Sequence, residues 1–339
     1  MTTRLPSPEE LDKLSNIDQE IAEKLQFIPQ LWQPSADQDP AEVIRSIRAQ
    51  REALPHVPAP KGVLETQATY KARDGTTLRM CVYSPASSVN KPRPLFVWYF
   101  GGGGCIGVPE HQIICRNAVL DHGCIAVAPQ YRLAPEYKYP YQVNDSWDAL
   151  KHITAHAGDF SADPSAGFVL GGESAGAVIA APLALKARDE ALQPPLTGIF
   201  LTVGSYFDPN SVPDQYKSTY RSRYDEACLN APLLSKTMKA IFDTCLQGDF
   251  SSPMFKAALW PSGHARLPKT YLQSCGMDIN RDEGICYNDV LSKAGVETKL
   301  DVYPGCPHCF WYLFPNITQG VKWKEDTRKG LGWLFERQM

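Results

Sequence analysis

Residues 167–181 read Gly167-Phe168-Val169-Leu170-Gly171-Gly172-Glu173-Ser174-Ala175-Gly176-Ala177-Val178-Ile179-Ala180-Ala181 and carry the strongest structural signal in the chain. An apolar run, a Gly-x-Ser-x-Gly turn and a helix-forming run follow one another directly, which predicts a strand, a tight turn and a helix with Ser174 at the apex. The glycines allow the backbone and the helix to approach closely, because no Cβ intrudes. Ser174 is therefore the leading candidate nucleophile.

The sequence around this stretch predicts an α/β fold. Strands are expected near residues 63–70, 78–83, 94–100, 124–129, 167–172, 197–203, 270–275 and 298–303. Helical patterns lie between the later ones, near 110–121, 142–156, 175–188, 283–294 and 320–336. Such alternation predicts a mostly parallel sheet with helices on both faces.

Two segments stand outside this alternation. In the N-terminal arm, residues 1–60, helix starts at Ser7-Pro8-Glu9-Glu10 and Asp39-Pro40-Ala41-Glu42 each predict a helix of roughly 10 to 15 residues. An aromatic and charged insertion at about 205–267 contains a helix-like run from Leu233 to Leu246. We expect residues 61–339 to form the catalytic domain, and the arm and insertion to form a cap over its active face.

The charge and hydrophobicity of the sequence limit the kinds of molecule that the protein is expected to bind. The 339 residues carry a net charge of −3 with no long charged run, which gives no electrostatic footprint for nucleic acid or an anionic membrane. No stretch approaches the ~20 apolar residues of a membrane span. We therefore expect a small-molecule partner and, by default, a cytoplasmic location, with ten reduced and mostly buried cysteines. The oligomeric state stays open, and a dimer is one option.

A serine nucleophile needs a base and an acid, which in an α/β-hydrolase follow it in the order acid, then histidine, each after a late strand. His308 alone of seven histidines lies in such a loop, and Asp278 ends the preceding predicted strand. Asp282 and Glu283 compete as the acid, but they lie at the start of a helix, where carboxylates often serve the helix dipole. We expect Ser174, His308 and Asp278 to be catalytic.

An oxyanion hole is expected in a glycine loop after an early strand. The apolar run Leu95 to Phe100 leads into Gly101-Gly102-Gly103-Gly104, whose amides are free of side-chain obstruction. With the amide after the nucleophile, this assigns Gly102, Gly103 and Ala175 as donors.

Residues 94–337 resemble the hormone-sensitive-lipase-like branch of the α/β-hydrolases, and the arm and cysteine content resemble its fungal members. The family's motifs are His-Gly-Gly-Gly, Tyr-Arg-Leu-Ala-Pro-Glu, Gly-Asp/Glu-Ser-Ala-Gly, Asp-x-Leu-Arg-Asp-Glu and Gly-x-x-His. They read here as Phe100 to Gly103, Tyr131 to Glu136, Gly172 to Gly176, Asp278 to Glu283 and Gly305 to His308. The resemblance implies an eight-stranded sheet, a mobile cap, and cofactor-free hydrolysis of carboxylic esters through an acyl-enzyme.

The glycine loop departs from the family pattern. Phe100 stands where the family has histidine, and Gly104 stands where a bulky residue is usual. If the loop is shifted by one residue, Gly101 replaces the histidine and the donors become Gly103 and Gly104. In the family that histidine is chiefly a structural support, so hydrolysis remains compatible with the sequence.

Aromatic residues point to a hydrophobic, polyketide-like or aryl ester. Phe27 and Trp32 lie in the arm, and the candidate pocket residues are Phe100, Gly104, Tyr206, Phe207, Phe310 and Trp311.

Two other motifs suggest a redox site and a zinc site, but each is only weakly supported. Cys306-Pro307-His308-Cys309 matches a thiol-disulfide motif, but it falls where the hydrolase base belongs. His152 and His156 have the i, i+4 spacing of a zinc pair, but no third ligand is indicated. We expect neither a metal nor a cofactor.

Three hypotheses follow. The first is a serine carboxylesterase of secondary metabolism. The second keeps the machinery for lactone or thioester cleavage, acyl transfer or cyclisation. The third is a ligand receptor, since the plant gibberellin receptor resembles this family; that receptor lacks the base, whereas His308 is present here.

Overall fold

The structure is a computed structural model that describes residues 4–25, 34–35, 37–53, 57–87 and 91–336. Its eight strands are β1 (Val63–Lys71), β2 (Thr77–Pro85), β3 (Leu95–Tyr99), β4 (Ile125–Pro129), β5 (Phe168–Glu173), β6 (Gly198–Thr202), β7 (Lys269–Met277) and β8 (Thr298–Pro307). They form one sheet in the order β1-β2-β4-β3-β5-β6-β7-β8. The pairs β1–β2 and β2–β4 are antiparallel and the other five are parallel. The mostly parallel sheet is thereby confirmed.

Helices cover both faces of the sheet. In the described residues they are α1 (Pro8–Leu14), α2 (Gln19–Leu25), α3 (Pro40–Glu52), α4 (Ile113–His122), α5 (Tyr141–Ala155), α6 (Ala175–Asp189), α7 (Glu226–Leu229), α8 (Lys236–Leu246), α9 (Arg281–Lys293) and α10 (Thr318–Phe335). Buried residues of α5, α6 and α9 form a core on one face, and those of α4 and α10 form a core on the other.

The central strand β3 shows why helices must pack on both faces of the sheet. Leu95, Val97 and Tyr99 belong to the α5–α6–α9 core, whereas Phe96 and Trp98 belong to the α4–α10 core. Successive side chains of a strand point to opposite faces, so an apolar strand that is buried on both sides contributes to two cores.

The N-terminal arm differs from the sequence expectation. The helix at Pro40 has 13 residues, as predicted, but α1 ends after seven, at Leu14. A second short helix, α2, follows because the Asp18 carboxylate accepts hydrogen bonds from the amides of Glu20 and Ile21 and so caps a new helix start. The prediction of one longer helix from Pro8 was wrong.

A third core joins the arm to the insertion. Val43, Ile44 and Ile47 of α3 are in the same apolar cluster as Met238 and Phe242 of α8. Cys105 and Ile106, which directly follow the four glycines, belong to the same cluster. The arm and the insertion therefore pack together beside the glycine loop.

Candidate active site

Ser174 lies at the apex of a strained turn between β5 and α6. Its backbone has φ 54° and ψ −115°, a conformation that L-residues rarely adopt and that surrounding structure must enforce. A Cβ on Gly176 would collide with the carbonyl of Tyr99 at the end of β3. Glycine is therefore required where α6 passes closest to the sheet.

Three side chains from distant parts of the chain meet at this turn. Nε2 of His308 lies 2.9 Å from Oγ of Ser174, and Nδ1 of His308 lies 2.7 Å from Oδ2 of Asp278. The other oxygen of Asp278 accepts the backbone N–H of Asn280 at 2.9 Å. Asp278 and His308 are 1% and 6% exposed, so the chain of hydrogen bonds is largely shielded from water.

The two competing carboxylates face elsewhere. Asp282 accepts hydrogen bonds from Arg281 and from the amides of Arg221 and Ser222. Glu283 accepts hydrogen bonds from the loop after β6 and from the insertion; its donors are the hydroxyls of Ser205 and Tyr220, the amides of Tyr206 and Phe207, and Arg223. Asp278 is the carboxylate that contacts His308.

The glycine loop faces the same turn. Gly102, Gly103 and Ala175 line one cavity with Ser174, and within the described residues their amides donate no hydrogen bond. The carbonyl of Gly102 accepts the amides of Cys105 and Ile106 at 2.9 and 2.8 Å, which folds the loop back on itself. N–H groups in such a position can stabilise an oxyanion.

At the two positions where the glycine loop departs from the family pattern, neighbouring side chains fill the available space. The ring of Phe100 stacks on Tyr131 at 4.3 Å, and the Tyr131 hydroxyl donates to the Phe100 carbonyl at 2.7 Å. A Cβ on Gly103 would collide with the ring of Phe242 in α8, and one on Gly104 would press against Leu246 at 3.0 Å. Side chains of α8 therefore fill the space beside the glycines.

The cavity above Ser174 has a volume of about 570 Å³. The glycine loop and the starts of α5 and α6 form one side. The remaining walls include α3, α8, the segments on either side of α8 and the loop after β8 that carries His308. Its apolar lining includes Ile106, Val143, Val178, Ile179, Leu233, Leu234, Phe242, Leu246, Met254, Phe255 and Leu313. This size and lining fit a small to medium organic molecule.

Four of the six candidate pocket residues were wrong. Phe100 and Gly104 line the cavity, but Tyr206, Phe207, Phe310 and Trp311 do not. Tyr206 stacks on Tyr287 of α9 at 4.4 Å, and the ring of Phe207 packs against Tyr216. On the opposite face, Phe310 packs against Tyr303 and Trp311 stacks on Trp323 of α10 at 4.7 Å. These rings are core residues, and Phe27 and Trp32 lie outside the described residues.

Sequence reasoning missed the charged side chains in the cavity wall, two of which, Glu173 and Lys256, are buried. Burial raises the pKa of Glu173, next to the nucleophile, to about 6, and its carboxylate accepts hydrogen bonds from Trp311 and Tyr312. Lys256 in the insertion also lines the cavity and is 1% exposed. The position of Glu173 directly before Ser174 in the serine motif could have predicted that its side chain lies near the site. Nothing in the local sequence distinguished Lys256 from a surface lysine.

The weaker motifs gain no support. Burial raises the pKa of the Cys306 and Cys309 thiols, which disfavours the reactive thiolate. All ten cysteines are free, and every one except the half-buried Cys309 is fully buried. The rings of His152 and His156 lie 4.5 Å apart, and the described part of the chain holds no cluster of three metal-binding side chains.

The sheet order, the strained serine and its histidine partner define an esterase-type α/β-hydrolase. Residues 96–312 match the model of a protein family with the alpha/beta hydrolase fold. The chain belongs to this family. None of the helices in the described ranges has the length and apolar character that crossing a bilayer requires.

The chain is similar over most of its length to other proteins of this fold. An AB hydrolase superfamily protein of Schizosaccharomyces pombe is 34% identical over 96% of this chain and 95% of its own length. Versiconal hemiacetal acetate esterase of Dothistroma septosporum is 32% identical over 73% of this chain and 75% of its own length. The crystal structure of vibralactone cyclase is 34% identical with a TM-score of 0.84, covering 99% of this chain and 98% of that one.

Proposed function

We propose that this enzyme hydrolyses a small to medium hydrophobic carboxylic ester through an acyl-enzyme formed on Ser174. The observation that carries the proposal is the hydrogen-bonded series from Ser174 through His308 to Asp278. This series has the nucleophile, base and orienting carboxylate that serine-dependent acyl transfer requires.

In this mechanism His308 Nε2 accepts the proton of Ser174 as Oγ attacks the ester carbonyl. The amides of Gly102, Gly103 and Ala175 stabilise the resulting oxyanion, and the imidazolium returns its proton to the leaving alcohol. Water then attacks the acyl-enzyme with His308 again as base, which releases the acid and regenerates Ser174. Asp278 holds the imidazole tautomer and stabilises its cationic form.

The proposal includes a substrate-binding cap. Residues 1–60 and about 205–267 supply it, and the walls from α3 and α8 in the cavity support this assignment. The apolar lining favours a hydrophobic ester. By analogy with the versiconal hemiacetal acetate esterase, we propose an ester of a secondary metabolite as the physiological substrate.

A fluorophosphonate probe and a panel of 4-nitrophenyl esters test the mechanism. We expect the probe to label Ser174 covalently and the purified chain to hydrolyse short to medium acyl chains. Ser174→Ala removes the nucleophile, so we expect loss of labelling and a decrease in kcat on the order of 10⁶-fold. Ser46→Ala, an exposed serine on α3, is the matched control and should behave as wild type. Turnover that survives Ser174→Ala contradicts the proposal.

A second candidate function keeps the same residues but uses another acceptor. Vibralactone cyclase aligns over nearly the whole chain, which favours lactone or thioester chemistry, acyl transfer or cyclisation as the alternative. A chain that the fluorophosphonate labels, but that leaves every 4-nitrophenyl ester intact, supports this candidate. Mass spectrometry of products formed from hydroxy-acid thioesters would then distinguish ring closure from hydrolysis.

A further inference from the structure

A buried lysine lies in the wall of the catalytic cavity. Lys256 is 1% exposed, and its ammonium nitrogen donates to Oγ of Ser205 at 2.8 Å. It also lies 4.8 and 4.9 Å from the ring centres of Phe250 and Phe255. Lys256, Ser205 and Ser174 all line the same cavity.

The carboxylates around Lys256 are committed to other cations. Glu283 pairs with Arg223 at 2.8 Å, and Asp243 pairs with Lys239 at 2.8 Å. Within the described residues, the Lys256 ammonium has no carboxylate at ion-pair distance, and its one hydrogen bond is the one to Ser205. An ammonium group has three donors, so two remain for a ligand.

An unpaired buried cation is costly unless something compensates it. We propose that Lys256 forms an anion subsite, which binds an ionised oxygen group (a carboxylate or phenolate) of the molecule that occupies the cavity. That the bound molecule is the ester substrate rests on the function proposed above; the subsite itself does not. Arg51, an exposed cation that also lines the cavity, adds positive charge to attract such a ligand.

Protonation of Lys256 is coupled to occupation of this subsite. Burial lowers its pKa to about 7; Glu283 and Asp243 act to raise it, whereas Lys239 and Arg223 act to lower it further. An anion in contact with the ammonium favours the charged form. At pH 8 the free lysine is mostly neutral, so anion binding is accompanied by proton uptake.

Matched ester pairs test the subsite on both sides of the scissile bond. On the acyl side, mono-4-nitrophenyl glutarate is compared with 4-nitrophenyl pentanoate; on the alcohol side, 4-acetoxybenzoate is compared with 4-acetoxybenzamide. In at least one pair, we expect Lys256→Met to lower kcat/KM for the anionic ester about 10- to 100-fold more than for the neutral one, as loss of a charged hydrogen bond predicts. Unchanged ratios in both pairs overturn the proposal.

Two further variants separate charge from folding. Lys269→Met removes another buried lysine, which donates to the Glu336 carbonyl away from the cavity, and should leave the ratios unchanged. Lys256→Arg keeps the charge and should recover part of the preference for the anion. If Lys256→Met fails to fold by circular dichroism, Lys256→Gln takes its place.

A binding experiment makes the result independent of catalysis. Calorimetry on Ser174→Ala at pH 8, in two buffers of different ionisation enthalpy, compares 4-hydroxybenzoate with 4-hydroxybenzamide. We expect tighter binding of the benzoate, with proton uptake approaching one per site that disappears in Ser174→Ala/Lys256→Met. Equal affinity for the two compounds overturns the subsite. Lysine-dependent benzoate binding by a chain that hydrolyses no ester leaves the subsite in place and refutes only the proposed function.

Discussion

At the residue scale, Glu173 is a carboxylate held in an unfavourable environment directly beside the nucleophile. Burial raises its pKa to about 6, although the charge of His308 and the hydrogen bonds from Tyr312 and Trp311 act in the opposite direction. The usual pKa of 4.5 applies in the unfolded chain. Between these two values the folded chain holds a proton that the unfolded chain has lost, so stability falls as the pH rises from 4.5 to 6.

Glu173→Gln therefore changes how stability depends on pH. The variant has no ionisable group at this position, so it does not lose this stability as the pH rises. We expect the free energy of unfolding of the variant, taken relative to wild type, to be about 2 kcal/mol higher at pH 7.5 than at pH 4.5. Urea unfolding at the two pH values measures this difference. Glu325→Gln, at an exposed carboxylate on α10, should show no such gain. The same pH dependence in Glu173→Gln and wild type contradicts the expectation.

Phe100, which stands where the family pattern has histidine, is held by contacts with Tyr131. The stacked ring of Tyr131 and its hydrogen bond to the Phe100 carbonyl hold the start of the glycine loop. Tyr131 comes from the Tyr-Arg-Leu-Ala-Pro-Glu motif, so two family motifs contact each other here. An aromatic contact thus supports the loop where the family pattern has histidine.

At the element scale, Arg48 connects α3 to the glycine loop. Its Nε donates to the carbonyl of Cys105 at 2.8 Å, its Nη2 donates to the carbonyl of Ala134, and its Nη1 pairs with Glu136 at 2.9 Å. Cys105 directly follows the four glycines, so one side chain of the arm fixes the end of the loop that carries the candidate oxyanion donors.

We expect Arg48→Ala to lower kcat for a 4-nitrophenyl ester about 10-fold or more, since a small displacement of oxyanion donors is costly in the transition state. KM should change less than kcat. Arg45→Ala, on the exposed side of the same helix, is the matched control. A rise in KM with kcat unchanged would mean that α3 contributes to the binding surface and not to the position of the loop.

The sequence predicted elements best where periodicity is strong. Strand and helix positions of the central domain agree with the structure within a few residues, because buried strands and amphipathic helices leave regular patterns. The break between α1 and α2 was missed because capping by Asp18 depends on a local turn that apolar spacing does not reveal. The aromatic residues were misplaced for a related reason: Tyr206 and Trp311 lie near the site in sequence, but their side chains point into the two cores.

At the scale of the whole molecule, the cavity is a product of long-range packing. Its walls combine α3, the glycine loop, α8 and the segment around Lys256, which are separated by up to about 200 residues in the chain. Motif order was enough to predict which serine, acid and histidine meet: Ser174, Asp278 and His308 form one hydrogen-bonded series. The charge inside the cavity was not predictable, because it depends on which carboxylate each buried cation reaches in the folded chain.

Glu283 joins the insertion to α9, which packs on the sheet, through buried hydrogen bonds and an ion pair. Its carboxylate at the start of α9 receives the amides of Tyr206 and Phe207 and the charge of Arg223. Burial acts to raise its pKa, but Arg223 and Lys256 hold it at about 2, so its stabilising contribution is present above pH 4.5 and is lost as the pH falls towards 2.

Glu283→Gln leaves the Arg223 charge in the interior without its partner. We expect a loss of about 3–5 kcal/mol in the free energy of unfolding at pH 7, measured by urea denaturation, and a smaller difference from wild type at pH 3. Asp214→Asn in the insertion removes an exposed pair with Lys217 and should cost much less, because water and salt screen an exposed ion pair. A loss of similar size in both variants would mean that Glu283 contributes no more than a surface charge, and that packing of apolar residues alone holds the insertion on the sheet.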